Sequence, residues 1–484
     1  MFRTPLLLLA LLPLAAASFA ETLPLEACRI SAGPGHPSMK ARCGSLTRPL
    51  DPSGETPGEI TLRVAVVPAL NLTPEPDPVV PIAGGPGQGS VQFYAAYSSA
   101  FEAARRSRDI LLVDQRGTGE SAHMGCPLDE ELIEGQFTPE ETVAYTEDCL
   151  QQLPFDPRFF TTSVAVTDLE AVRIALGYPA LNLYGVSYGT RVAQHFARRY
   201  PEATRTVILD GVVPPQIALG PEIATESQRA VERILARCAE NDACNERFPD
   251  IQADFSKVVA RLDESPVVIN VPDPSSGRLE ETPFGRAELA IAVRLLAYHP
   301  SSVALLPLLI AEAAGGNHVP LASQFKMTML AMADALALGM HNAIMCSEDI
   351  PFYDTANIDY AAIEASYMGL LQLEALQAIC SVWPAGPIDP KFKVPLSGDL
   401  PVLLLSGDAD PITPPRYAEM AATELANSRH LVGEHQGHGQ ITVGCMPRLV
   451  ARFIETADAA ELDAECLERS FVMPFFVDFS GPMP

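Results

Sequence analysis

Apolar residues fall in short runs along the first part of the chain: Ile60–Val67, Val79–Ala83, Ile110–Val113, Leu181–Tyr184 and Val207–Leu209. Runs of this length bounded by turn residues read as buried strands. Between them the spacing turns helical, as in Thr167–Leu176, where Leu169, Val172 and Leu176 share one face, and in Thr190–Arg199. Strands alternating with helices predict a mainly parallel sheet covered on both faces, the α/β class. The rhythm stops at Val213-Pro214-Pro215, and from about residue 220 to 390 the spacing is mostly helical, as in Arg229–Cys238, Ala287–Leu296 and Met327–Leu338. Strand character returns at Pro401–Ser406, followed by a helix (Arg416–Leu425) and a short strand (Arg429–Val432). One α/β domain interrupted by a large inserted helical cap accounts for this order, with core at 56–215 and 396–484 and cap at 216–395. Residues 21–55, rich in Pro, Gly and Ser, read as an irregular N-terminal arm. Five methionines between Met327 and Met345 could line an adaptable pocket, but ordinary core filling is the simpler reading.

The first residues add a compartment. Arg3 precedes an apolar run from Leu6 to Ala17, and Ser18-Phe19-Ala20 supplies small residues for cleavage after Ala20. That is the pattern of a secretory signal peptide at 1–20, too short to span a bilayer, so no stable membrane anchor is expected. The even count of 10 cysteines suits an oxidising, periplasmic or extracellular setting. Their spacing suggests disulfides between neighbours: Cys28/Cys43, Cys126/Cys149, Cys238/Cys244, Cys346/Cys380 and Cys445/Cys466. No C-x-x-C or His-rich spacing points to a metal, and no cofactor motif is present. A formal net charge of −27 argues against nucleic acid or an anionic membrane as partner.

The chemistry begins at LNLYGVSYGTRVA, where a strand-like segment runs through G-x-S-x-G into a helix. Gly185 and Gly189 allow a tight turn that holds the Ser187 hydroxyl out at a helix N-terminus, where developing negative charge is favoured. The motif alone arises by chance, so its partners matter. A serine nucleophile needs a base and a group to orient that base. LLLSGDADPITPP places Asp408 and Asp410 beyond a buried strand, and GEHQGHGQ offers His435 and His438 after the last short strand. Both loops leave the C-terminal ends of strands, where α/β sheets gather their sites. A fourth element, IAGGPGQGS, follows the strand ending at Ala83. An acyl-transfer site needs two backbone donors for the oxyanion; Tyr188 supplies one and this loop the other, Gly85 rather than Gly84 because Pro86 has no N–H.

GGPGQGS, DQRGTGES (Asp114–Ser121), GVSYGT and SGDADPITPP with GHG resemble the prolyl-iminopeptidase and tripeptidyl-aminopeptidase-like branch of the α/β-hydrolases. The resemblance extends over essentially the whole mature chain, its C-terminal part included as a TAP-like region. It implies a secreted serine exopeptidase whose helical cap reads a free peptide N-terminus. By motif it makes Ser187 the nucleophile, Asp410 the acid and His438 the base, and gives Asp408 and His435 no catalytic place. Prolyl iminopeptidases carry HGGPG, whereas Ala83 stands in the histidine's position here, as in the tripeptidyl-like members. The resemblance also asks for cap carboxylates to hold the substrate ammonium. Glu348 and Asp349, beside Cys346, are the first candidates, and Glu222 and Glu226 their rivals. The expected activity is release of short N-terminal peptides or single residues, the alternative an esterase using the same triad.

Overall fold

The computed structural model describes residues 23–33, 35–126 and 138–482; the expected signal peptide lies outside them. Its centre is a nine-stranded sheet. In chain order the strands are β1 (Glu26–Ser31), β2 (Ser38–Pro49), β3 (Glu59–Val67), β4 (Glu75–Ile82), β5 (Arg108–Val113), β6 (Leu181–Val186) and β7 (Thr204–Asp210). β8 (Val267–Pro272) and β9 (Leu279–Phe284) form a separate hairpin within the insert, and β10 (Val402–Gly407) and β11 (Ser428–Gly433) complete the sheet. The spatial order is β1-β2-β3-β5-β4-β6-β7-β10-β11. The three pairings at the N-terminal edge are antiparallel and the five from β5 to β11 are parallel.

Because successive strand residues face opposite sides, the central strands feed two cores. Val64, Leu111, Leu183, Leu209 and Leu404 join one, packed on helices Thr162–Leu176 and Tyr188–Arg199. Ala65, Leu112, Tyr184, Ile208 and Leu403 join the other, with helices Ser90–Tyr97 and Met446–Thr456. This is the mainly parallel, two-faced α/β architecture the apolar runs predict, and the α/β-hydrolase fold the resemblance implies. The N-terminal arm departs from expectation: β1 and β2 form a hairpin and β2 pairs with β3 from Arg42↔Val66 to Pro49↔Glu59. Only Ala41 and Cys43 of β2 are buried, so the strand carries no apolar run. The insert likewise contains the β8–β9 hairpin, whose outward residues, Val268 among them, stay exposed.

The insert packs in two ways. Helices Ile223–Glu240, Ile251–Glu264, Arg286–Leu296 and Leu306–Ala314 build a core of their own around Val231, Leu235, Phe255, Leu289 and Ile310. By contrast Ala337, Met340, Ala343, Ile344, Cys346 and Trp383 are buried within the first core of the sheet domain. Met340 and Met345 are buried while Met327 is exposed, so the methionines act partly as filler. All five expected disulfides are present: Cys28–Cys43, Cys126–Cys149, Cys238–Cys244, Cys346–Cys380 and Cys445–Cys466.

Candidate active site

β6 ends at Val186 and the helix Tyr188–Arg199 starts at once, leaving Ser187 between them at φ 55° and ψ −126°. A non-glycine residue reaches such backbone at a cost of about 1–3 kcal/mol, so the surroundings must hold it. They do so by close approach. A Cβ on Gly185 would lie 2.3 Å from the Gly189 carbonyl oxygen, and one on Gly189 would lie 2.2 Å from that of Ile82. The Ser187 N–H donates to the Asp210 carbonyl at the end of β7 (2.8 Å). Ser187 is partly exposed, while Val186 and Tyr188 on either side are buried.

β10 and β11 bring the other two groups. Past Gly407 the chain turns sharply, and the Asp410 Oδ1 accepts the N–H groups of Ile412 (2.8 Å) and Thr413 (2.9 Å). Its Oδ2 accepts the Thr413 hydroxyl (2.7 Å) and lies 2.8 Å from His438 Nδ1. The carboxylate is thus fixed on every side with one oxygen aimed at the imidazole. His438 is held in turn by its N–H to the Tyr298 carbonyl (2.8 Å) and by the Tyr298 ring, 5.0 Å away. The His438 side chain keeps 10% exposure. Burial disfavours its imidazolium, but contact with Asp410 and the nearby charge of Asp210 outweigh burial and hold its pKa above the ordinary value; Arg294 opposes them. Asp408 instead pairs with Arg233 of the insert (2.6 Å), and His435 sits exposed beside Glu434.

The glycine loop after β4 passes over the serine. A Cβ on Gly84 would meet Ser187 Cβ at 2.9 Å and Oγ at 3.5 Å. Gly85 follows, exposed and at φ 103°. The Tyr188 N–H lies in the first helical turn, where backbone donors have no intrahelical partner. The insert closes on this loop, since Ala337 N–H donates to the Gly87 carbonyl (3.0 Å). The DQRGTGES motif serves the fold: Asp114 accepts the Val91 N–H (2.9 Å), and fully buried Arg116 pairs with Asp168 (2.7 Å).

The sequence reading overlooked Thr413 and Asp210. Buried Asp210 accepts Tyr184 Oη–H (2.7 Å), Gln440 N–H (2.7 and 2.9 Å) and Ile441 N–H (2.9 Å) through its carboxylate. Its backbone therefore holds the serine turn and its side chain the loop just past His438. Burial lifts its pKa to about 6 against those hydrogen bonds. Its place at the end of an apolar run, in VILDG, is the signal that could have found it.

The candidates for the ammonium site need correction. Glu348 and Asp349 are fully buried. Glu348 accepts the Thr162 N–H (2.6 Å) and hydroxyl (2.8 Å), and Asp349 takes a two-pronged contact from Arg191 (2.9 and 2.8 Å) plus the Leu219 N–H (2.8 Å). Their oxygens are engaged inside the protein, so neither is placed to receive a substrate. Glu226 is also buried, paired with Arg416 (2.8 Å) and Arg229. Glu222 bonds Arg416 (2.8 Å) and the Tyr417 hydroxyl through Oε2 but stays 46% exposed, on a cleft of about 410 Å³ with Arg416 and Tyr353.

Comparison with known proteins agrees with this architecture. Residues 77–246 match the family described as alpha/beta hydrolase fold, and residues 365–466 the family described as TAP-like protein. The chain is similar to serine protease Hip1 of Mycobacterium tuberculosis, 26% identical over 80% of each chain. It is 27% identical to tripeptidyl aminopeptidase of Streptomyces coelicolor over 36% of this chain and 35% of that one. It is 28% identical to proline iminopeptidase of Xylella fastidiosa over 29% of this chain and 33% of the other. The protein is a serine hydrolase of the α/β-hydrolase fold. Its C-terminal part, residues 365–466, is the stretch similar to the TAP-like family.

Proposed function

We propose that the chain is an exported serine exopeptidase acting near the free N-terminus of a peptide through an acyl-enzyme. The observation that carries this reading is the His438 Nδ1–Asp410 contact at 2.8 Å, with the imidazole packed against Gly211, next to the Asp210 carbonyl that takes the N–H of the strained Ser187. Ser187 Oγ attacks the scissile carbonyl while His438 Nε2 takes its proton; Asp410 fixes the tautomer and stabilises the imidazolium. The N–H groups of Gly85 and Tyr188 receive the oxyanion. Collapse of the tetrahedral intermediate expels the amine, which takes the proton back from His438, and water then releases the acyl group by the same steps in reverse. Among the four acids considered, Glu222 alone keeps an exposed carboxylate, and it is our candidate for the substrate ammonium. Export fits the five disulfides, and no helix among the described residues is long and apolar enough to cross a membrane.

The test compares peptides with free and acetylated N-termini. Preferential turnover of the free peptide, lost in Ser187→Ala together with labelling by a serine-directed phosphonate, supports the proposal. Equal turnover of both rejects exopeptidase action. The engagement of Glu348, Asp349 and Glu226 gives one specific reason to keep the esterase alternative, which predicts rapid ester turnover and no peptide cleavage.

A further inference from the structure

An oxyanion donor works only if it is aimed, and the Tyr188 N–H belongs to the peptide that joins Ser187 to Tyr188. A trans peptide is planar, so its N–H and C=O point in opposite directions and gripping one end aims the other. Thr190 grips the Ser187 carbonyl twice, through its N–H (2.9 Å) and through its hydroxyl (2.6 Å). Threonine often back-bonds within its own helix, but this hydroxyl has a second partner outside the helix. The Val213 N–H, just beyond β7, donates to it (2.8 Å). A backbone N–H can only donate, so the hydroxyl's own hydrogen is left for the Ser187 carbonyl. Thr190 and Val213 are both buried, which keeps water from competing for either bond. Gln194 closes the arrangement by donating to the carbonyls of Thr190 and Val213 (3.0 Å each).

The rest of the turn is fixed elsewhere. The Ser187 N–H is held by the Asp210 carbonyl (2.8 Å). The Tyr188 hydroxyl meets Thr162 Oγ1 (2.6 Å), and Thr162 is itself bound through its N–H and hydroxyl to Glu348 of the insert (2.6 and 2.8 Å). With both neighbours pinned, the movement left to the turn is rotation of the peptide between them. Ser187 gains by that rotation, because its φ of 55° and ψ of −126° are costly and turning the peptide changes ψ. The Thr190 hydroxyl stands against it.

We propose that Thr190 is a positioning residue for the hydrolysis, its hydroxyl holding the Ser187–Tyr188 peptide so that the Tyr188 N–H faces the oxyanion. The proposal rests on the reading of Ser187 as nucleophile and of Tyr188 as donor, and it applies to a peptide or an ester alike. Its signature is equal loss in kcat and kcat/KM, because the oxyanion exists only once attack is under way.

The experiment compares the wild type with Thr190→Val, Thr190→Cys and Thr190→Ser. Valine keeps the shape without a donor, cysteine is a weak donor, and serine keeps the hydroxyl. Turnover per folded molecule is measured on an activated ester and on its thionoester, whose sulfur accepts hydrogen bonds poorly, and phosphonate labelling of Ser187 is timed alongside. Deleting an oxyanion donor costs about 100- to 1,000-fold in kcat, so misaiming one should cost roughly 10- to 100-fold. Thr190→Val and Thr190→Cys should show that loss on the ester, label more slowly and prefer the ester over the thionoester less strongly than the wild type does. Thr190→Ser should recover most of the rate. If valine leaves Val213 unpaired and the variant does not fold, cysteine decides. Folded variants with unchanged turnover, labelling and ester preference would confine Thr190 to the fold and overturn the proposal, even if their stability fell. A serine variant as slow as the valine one would overturn it too. Failure of the underlying reading looks different: a wild type that is not labelled at Ser187, or that turns over ester and thionoester alike, removes the nucleophile or the oxyanion donors and takes the proposal with it.

Discussion

Two buried acid–base pairs, Asp410–His438 and Asp349–Arg191, have opposite characters. In Asp410–His438 the cationic partner can gain and lose a proton near neutral pH, and its ring keeps 10% exposure. In Asp349–Arg191 the partner stays charged at any working pH, and the side chains are 0% and 1% exposed. Both acids accept several hydrogen bonds, so satisfaction alone does not separate them. What separates them is whether the partner can exchange a proton with something outside. The first pair is suited to proton exchange, and the second ties the insert to the helix that follows Ser187.

The sharpest way to break this contrast is to remove the chemistry. Ser187→Ala should abolish turnover, and Asp410→Asn should lower kcat about 10⁴-fold by misorienting His438. Asp408→Asn should leave kcat within a few-fold, since Asp408 only faces Arg233. Steady-state kinetics that reversed the two aspartates would unseat the assignment. Asp349→Ala should do the converse. With Arg191 left buried and facing only Glu348 at 3.9 Å, the fold should lose about 3–5 kcal/mol, read by denaturant unfolding, while the remaining folded molecules keep their phosphonate labelling rate. A large loss of labelling with unchanged stability would place Asp349 in the catalytic machinery after all.

A smaller effect concerns the disulfides. Replacing Cys445 and Cys466 together by serine should cost about 2–4 kcal/mol without altering kcat, because the bridge fastens the start of helix Met446–Thr456 to the chain at Cys466 and contributes no group to the Ser187, Asp410 and His438 site. The finest test is pH. His438 must be neutral to act as base, so kcat/KM should fall as pH drops through its raised pKa, with a midpoint above the usual value of about 6.5. Asp410 and Asp210 raise that midpoint and Arg294 lowers it. Asp210→Asn should therefore move the acid limb to lower pH, a change that simple loosening of the fold would not produce. A limb that stays put would confine Asp210 to a structural role.

Much of the candidate site's arrangement was legible in the sequence because its parts are local. The turn at Ser187 needs small residues at fixed distances, and Gly185 and Gly189 declare it. Asp410 follows a buried strand directly, and the loop bearing His438 follows the half-buried edge strand β11. The five disulfides were legible because each closes a short stretch of chain. What escaped depends on contacts across the fold. Nothing near Glu348 announces Thr162, and nothing near Asp349 announces Arg191, 158 residues earlier. Their adjacency to Cys346 suggested a fixed position, correctly, but carried no information about which way the carboxylates point. β1 and β2 escaped for a different reason: a strand at a sheet edge needs no apolar run.

The way the insert is anchored bears on how this architecture can be recombined. Ala337, Met340, Ala343, Ile344 and Trp383 fill the sheet domain's own interior. The insert is therefore not a cassette that evolution or an engineer can lift out at its sequence boundaries. An exchange with a relative has to leave those side chains behind or import matching ones, while the helices that share the separate core around Val231 and Phe255 are freer to diverge. Substrate range can then drift in one half of the insert while the other half is held to the pace of the catalytic domain.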